Sequence, residues 1–362
     1  MPLSKIQLSE ATGRRNLVIN GAMQIFQRTS SATAAGTSYN TSDRFRANTG
    51  TDGAFTTEKS TDNPFGTGSS LKAQVTTADT SLASTQYAQI IQRIEAQNLQ
   101  HLLYGTSSAK TLTLSFWVKS SKTGIYSITL RKTDNTAYHF CHEYTISSAN
   151  TWEKKVITIT PTAGSTSFIT ASAGAIANDN GLGFELSFAL GQGSSYAIGT
   201  SNTWSNNTST FASTNQVNWM DNTSNNFYLT QVQLEVGNLT DFEHRSVTEE
   251  LSLCQRYFET FGGTAYEPVG MAIGTTTTRD RVSVQFKVQK RAAPTLTVSN
   301  DLIISYRVGY DQKITGTADL NISTNGAHFA VDHSAVGAAA RPHFLLSHPN
   351  NPFGTLTADA EL

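Results

Sequence analysis

The sequence predicts an all-β protein: a jelly-roll β-sandwich, then a short helix, then a second, smaller β-sandwich domain. Three observations carry this. Thr and Ser number 51 and 38 of the 362 residues. With abundant Asn and Gly, such residues suit pleated surfaces and turns. Period-two alternation of apolar and polar residues recurs along most of the chain, the mark of half-buried strands. Helical periodicity is confined to one well-specified stretch.

The elements follow in order. Residues 1–15, with Arg14-Arg15, form a polar arm or first edge strand. Asn16 to Gly21 is a short strand ending in a turn pair, and Thr29 to Tyr39 is a loop rich in Ser, Thr, Ala and Gly. Between Gln89 and Leu103, Ile90, Ile91 and Ile94 fit a strand, and Ala96 to Leu103 fits a short helical turn. Leu112, Leu114, Phe116 and Val118 alternate with Thr113, Ser115 and Trp117. Tyr126, Ile128 and Leu130 do the same, as do Leu182, Phe184, Leu186, Phe188 and Leu190. Tyr228, Val232, Leu234 and Val236 are expected on one face of a further strand. Many such strands between Gly, Asn and Ser turns point to a sandwich or jelly roll.

Ser246 stands three residues before Glu249, a capping box. Val247, Leu251, Cys254, Phe258 and Phe261 then recur at heptad spacing. This predicts a helix over 246–262. Two readings fit its stripe: a helix packed on its own sandwich, or an oligomer interface along a symmetry axis. Beyond it, Val282, Val284, Phe286 and Val288, then Leu302, Ile304, Tyr306 and Val308, then Phe329 and Val331 outline a C-terminal β-domain over 263–362. The arm at 1–15 and a sandwich over 16–245 complete the organisation. Asn-Pro-Phe-Gly-Thr occurs at Asn63 and again at Asn351 and reads as turn chemistry.

Several classes are excluded. Lys plus Arg number 26 against 27 Asp plus Glu, a net charge of -1, without the basic footprint of a general nucleic-acid binder. No run of 18 apolar residues is present, so no membrane insertion by a helix is expected. The N-terminus has no secretory apolar region. Cys141 and Cys254 make neither a disulfide framework nor a zinc site, and assembly in a cytoplasm is expected.

No catalytic signature stands out: GxGxxG before a helix, GxxxxGK[ST], HExxH and GxSxG are all absent. His139-Phe140-Cys141-His142-Glu143 is the densest run of ligand types, but neighbours on one strand face lie about 7 Å apart, so no metal site is expected. His328, His333, His343 and His348 read as surface or turn histidines. No enzyme activity and no cofactor are expected. The aromatics are more suggestive. Trp117, Trp204 and Trp219 each sit among Thr, Ser and Asn. Flat rings beside amides and hydroxyls suit stacking on a sugar, or packing against a loop or a neighbouring subunit. Trp152 reads as a core plug at a strand start.

Several stretches together resemble a known pattern. They are Asn16 to Arg28 (NLVINGAMQIFQR), Ser42-Asp43-Arg44-Phe45, Leu112 to Ser120 (LTLSFWVKS) and Asn180 to Ser187 (NGLGFELS). Phe227 to Gly237 (FYLTQVQLEVG) and Phe242-Glu243-His244-Arg245-Ser246 follow in order. The set resembles the carbohydrate-binding-module-like jelly roll of tailed-phage fibre and appendage proteins, closely over 1–262 and loosely beyond. The resemblance implies a virion protein and a homotrimer with the helix near the threefold axis. It also implies attachment to other virion proteins through residues 1–15, and a host surface glycan as partner. Its motifs define strands and turns and hand over no ligand residue. A purely structural decoration or connector protein with no ligand is the alternative.

Overall fold

The computed structural model describes residues 14–33, 37–305, 311–334, 341–350 and 353–362. The expected arm thus lies almost wholly outside the described residues, as do Tyr306 and Val308. The chain divides after Ser246 into two compact units.

The first unit is a two-sheet sandwich. One sheet has six strands, ordered Ser31–Thr33, Ala54–Ser60, Ser70–Thr77, Asn226–Val236, Leu112–Ser120, Glu153–Ile159. The other has seven, ordered Thr203–Ser205, Tyr138–Ile146, Gly124–Lys132, Leu182–Gln192, Tyr87–Glu95, Phe45–Gly50, Thr37–Ser38. Most strands adjacent in these sheets are not consecutive in sequence, and the ladders are antiparallel. Alternation decides the inner faces. Leu112, Leu114, Phe116 and Val118 from the six-stranded sheet meet Tyr126, Ile128, Leu130, Phe184, Leu186 and Phe188 from the seven-stranded one in a single core. At about 25 cal/mol per Å² of apolar surface removed from water, this layer dominates the stability of the unit.

Two expectations are corrected here. Tyr228 does not share a face with Val232 and Leu234. A bulge between Thr230 and Gln233, with Gln231 at φ 48°, shifts the pairing. The strand therefore buries Phe227 and Leu229 before the bulge and Val232 and Leu234 after it, and Tyr228 turns outward. Asn16 to Gly21 is not a strand. Its asparagines tie an irregular path against that bulge. Asn16 Nδ2 donates to Val232 O at 3.0 Å, and its Oδ1 accepts from Val18 N and Leu234 N. Asn20, at φ 59°, donates to Ile25 O and Asp43 O, both at 2.9 Å. Gly21 is required because a Cβ there would lie 2.2 Å from Val232 O. The most distinctive motif of the chain is thus a structural clasp.

In the second unit the helix runs only over Val247–Gln255. It starts directly after Ser246, where the capping pattern puts it, but it does not carry the two-heptad stripe. Phe258 and Phe261 lie on the strand Phe258–Gly262, which pairs with Thr355–Asp359. Phe258-Glu259-Thr260-Phe261 satisfies a strand once a partner exists, and its backbone hydrogen bonds go to that partner instead of a helix. Cys254, Phe258 and Phe261 are buried within the chain, whereas Val247 is 60% exposed and Leu251 half-buried. The five residues therefore do not form one continuous surface.

The expected second sandwich is also corrected in form. Six antiparallel strands close into a barrel, ordered Pro268–Gly274, Arg279–Gln285, Gly326–His333, Asp311–Ile322, Leu302–Ser305, Pro342–Ser347. A three-stranded sheet, Phe258–Gly262, Thr355–Asp359 and Thr295–Val298, accompanies it. Irregularities at Pro268/Gly270, Ile314/Gly316 and Ala318/Asn321 coil the long strands, and coiling lets the sheet edges meet. Val282, Val284, Leu302, Ile304, Phe329, Val331 and Leu345 fill the interior.

Candidate functional site

Each sheet of the sandwich has an outer face, and the two differ. On the seven-stranded sheet, register places Tyr87, Gln89, Ile91 and Arg93 outward beside Arg46 on one side and Glu185 and Ser187 on the other. Arg131 pairs with Glu185, and His139 pairs with Arg131. The segment from Tyr196 to Phe211 lays two more rings over this floor. Tyr196 and Phe211 stack at 4.6 Å between centroids, and Tyr87 stands edge-on to both, at 5.8 and 6.2 Å. All three rings are half-buried, so each keeps part of its surface open.

The polar floor is defined in detail. Arg93 Nε donates to Glu185 Oε2 at 2.7 Å. His139 lies under Phe211, their rings nearly parallel at 6.4 Å. Burial pushes its imidazole down to about 4, so it is neutral in neutral solution. Its Nδ1 meets the Thr210 carbonyl at 2.8 Å. A carbonyl only accepts, so Nδ1 carries the proton and Nε2 is left an acceptor. Arg46 is 8% exposed. Burial first, and then the like charge of Arg93, lowers its guanidinium from the ordinary value. Tyr39 receives the guanidinium of Arg46 at 6.0 Å from its centroid, and those of Arg28 and Arg44 slightly closer. Flat amphipathic rings beside a few fixed polar groups are what a sugar site requires: rings for pyranose faces, forked donors and carboxylate oxygens for hydroxyls.

The outer face of the six-stranded sheet carries Trp117. It is half-buried, and Phe65, 52% exposed, stands edge-on to it at 5.5 Å. The first Asn-Pro-Phe-Gly turn presents that phenyl ring: Phe65 N donates to Asn63 Oδ1 at 2.9 Å, and Gly66 adopts φ 73°. Trp152 is no core plug. It lies half-buried on this face beside Tyr228, and its Nε1 donates to Asp62 Oδ1 at 3.0 Å. Asp62 also pairs with Lys119, whose Nζ sits 4.3 Å from the Tyr228 centroid. Lys72 pairs with Glu58 at 2.6 Å.

Trp204 and Trp219 are corrected. Both belong to the core, at 1% and 0% exposure. Trp204 Nε1 donates to Thr160 O at 2.9 Å, and its ring packs on Phe140 and Tyr104. Trp219 stands edge-on to Phe55 at 5.7 Å. Neither indole has a face left for a ligand. Their polar neighbours Thr203, Ser205 and Asn218 stay half-buried while the rings turn inward.

Among the described residues no three His, Cys, Asp or Glu side chains converge as metal ligands. Both cysteines are buried and free. Two of the histidines read as surface residues are instead inside the barrel. His333 Nε2 and His343 Nδ1 meet the two oxygens of buried Asp280, at 3.2 and 2.5 Å. Burial would raise the Asp280 carboxyl, but the hydrogen bonds from His333 and His343 outweigh it and hold it below its usual range.

Sequence reasoning missed Tyr87, Tyr196, Phe211 and the arginines between the strands. The available signal was the polar half of each alternation. Arg93 falls out of phase with Ile90 and Ile94, and Arg131 with Ile128 and Leu130. Placing them on one face requires the strand order.

No protein-family model matches the sequence, nor does any curated protein. Weak likenesses to solved structures exist. The enzymatically active domain of bacteriophage CBA120 tailspike protein 4 is 14% identical over 61% of this chain, which spans only 21% of that one, with a TM-score of 0.29. A family 11 carbohydrate-binding module from Clostridium thermocellum, in complex with a mixed-linked tetrasaccharide, is 13% identical over 56% of this chain and 91% of that one, TM-score 0.29. The N-terminal tandem of two family 22 modules from Paenibacillus barcinonensis is 9% identical over 97% and 98%, TM-score 0.30. Scores of this size carry no weight, so the architecture stands on the strand pairing and the site on its geometry.

Proposed function

We propose that the chain is a non-catalytic glycan-binding protein whose sugar site is the outer face of the seven-stranded sheet. The observation that carries this is the Tyr87, Tyr196 and Phe211 cluster standing beside the Arg46, Arg93, Glu185 and Arg131 floor. The rings supply stacking surface and the floor supplies hydrogen bonds. We further propose a virion appendage as its setting, with host surface glycan as the partner. The ordered resemblance to phage appendage proteins supports that setting. Trimeric presentation would multiply weak sites, because linked sites gain avidity. The test is titration of the purified chain against a panel of host surface glycans. Saturable binding that the Tyr196→Ala, Phe211→Ala double variant loses supports the reading. Absence of binding across the panel, from folded protein, sinks it.

One observation favours the second reading, a decoration or connector protein with no glycan ligand. Met271, Ile273 and Phe344 are 56%, 51% and 46% exposed on adjoining strands of the barrel wall. A contiguous apolar patch of this kind suits a contact with another chain.

A further inference from the structure

We propose that the outer face of the seven-stranded sheet takes an acidic oligosaccharide, one whose sugar units carry carboxylates. This rests on the glycan-binding reading above and names the class of glycan. Three arginines stand around one carboxylate at the centre of this face. Arg46, Arg93 and Arg131 share it with Glu185, and Glu185 is engaged by Arg93. Neither Arg46 nor Arg131 makes a hydrogen bond or ion pair among the described residues, and the Nε of each is buried without a partner.

Several other buried cations among the described residues have ionic or carbonyl partners. Lys132 donates to Ala173 O and Ala175 O at 2.9 and 3.0 Å. Lys290 meets Glu259 and Gln255 O, both at 2.6 Å. Arg245 is paired with Glu243 at 2.9 Å. A guanidinium withdrawn from water without a partner is costly. Arg46 is such a group, and half-buried Arg131 adds a buried Nε without a partner on the same sheet face; together they mark where a ligand brings the missing charge.

The planar fork of Arg matches a planar carboxylate with two parallel hydrogen bonds. A uronic acid offers that carboxylate on a ring able to stack. Three strand spacings separate Arg46 from Arg131, about 14 Å at the usual interval. They therefore meet different units of a chain, not one carboxylate.

The experiment titrates the full-length protein with oligogalacturonate, oligoalginate and hyaluronan fragments, with their carboxyl-reduced neutral counterparts, and with a sulfated oligosaccharide. At least one uronate is expected to bind about tenfold or more tightly than its neutral counterpart, a preference worth one charge-assisted contact. Added salt weakens it, and Arg46→Gln and Arg131→Gln each reduce it. Equal binding of acidic and neutral forms overturns the proposal and leaves the glycan reading standing. Preference for the sulfated sugar overturns the carboxylate assignment. No binding to any acidic or neutral sugar removes both. A second measurement needs no ligand: Arg46→Met, which relieves an unpaired buried charge, is expected to raise the melting temperature of the free protein. A lower one contradicts the claim that Arg46 lacks a hydrogen-bonded or ionic partner.

Discussion

The two outer faces of the sandwich use similar side chains differently. On the six-stranded face the lysines beside Tyr228 each have an acid: Lys119 has Asp62 and Lys72 has Glu58. Its aromatics are held from within, Trp152 by Asp62 and Trp117 by Phe65. On the seven-stranded face the rings hold one another, and Arg46 and Arg131 have buried Nε atoms without partners. The lysines beside Tyr228 on the first face are paired within the chain, whereas under the proposed function Arg46 and Arg131 on the second are met by a ligand. Aromatic residues alone therefore do not locate a site. The balance of charge around them does.

The largest expected effect concerns the layer between the faces. Trp204→Ala is expected to cost about 3–5 kcal/mol of stability, as for other buried large aromatics, readable by denaturant unfolding. The fraction that folds keeps its glycan affinity. If Trp204→Ala instead left stability unchanged and cut binding, the assignment of the indole to the core would be wrong.

The next effect divides the faces. Replacing Tyr196 and Phe211 by Ala removes both rings on which a sugar would stack, and glycan affinity is expected to fall about tenfold or more, a loss of about 1.4 kcal/mol. The matching change on the other face, Phe65→Ala with Trp117→Ala, leaves affinity unchanged. Equal losses would erase the distinction.

A pH measurement sharpens the same lesson in the barrel, where buried Asp280 is satisfied by two histidines. Its folded carboxyl lies below the ordinary 3.8, so its contribution is present above that value and lost as pH falls through the lower folded value. Burial opposes the charge of His333, but the Asp280 hydrogen bond and the Ser334 carbonyl outweigh it and raise the imidazole above 6.5. That contribution is present below 6.5 and lost as pH rises through the higher folded value. The second unit is thus expected to be most stable in mildly acidic solution and to weaken toward both sides. Asp280→Asn should flatten the profile, and an unchanged profile would remove the cluster from the account.

The smallest effect belongs to the six-stranded face. Asp62→Asn loosens Lys119 and Trp152, but Asp62 is 46% exposed. Exposed pairs contribute about 0–1 kcal/mol. A larger loss in thermal unfolding would mean that this face is more tightly built than its exposure indicates.

Much of the fold was legible because it is local. Period-two alternation over Leu112 to Val118 and Leu182 to Leu190 names both the strand and its buried side. The bulge at Gln231 was not legible, because it exists to receive Asn16 to Gly21 from the far end of the unit. Phe258 and Phe261 satisfied a heptad and a strand equally, and only the partner Thr355–Asp359 decides. The candidate site was hardly legible at all. Its arginines come from three strands whose order the sequence does not state. Trp204 and Tyr196 sit in one polar segment, yet the path of the chain over the sheet sends one ring into the core and leaves the other half open.

The most direct test titrates one surface glycan of the host into three full-length proteins: the unaltered chain, the Tyr196→Ala, Phe211→Ala variant, and the Phe65→Ala, Trp117→Ala variant. The account predicts saturable binding in the first and third and at least a tenfold loss in the second. Binding retained by the second and lost by the third would contradict it.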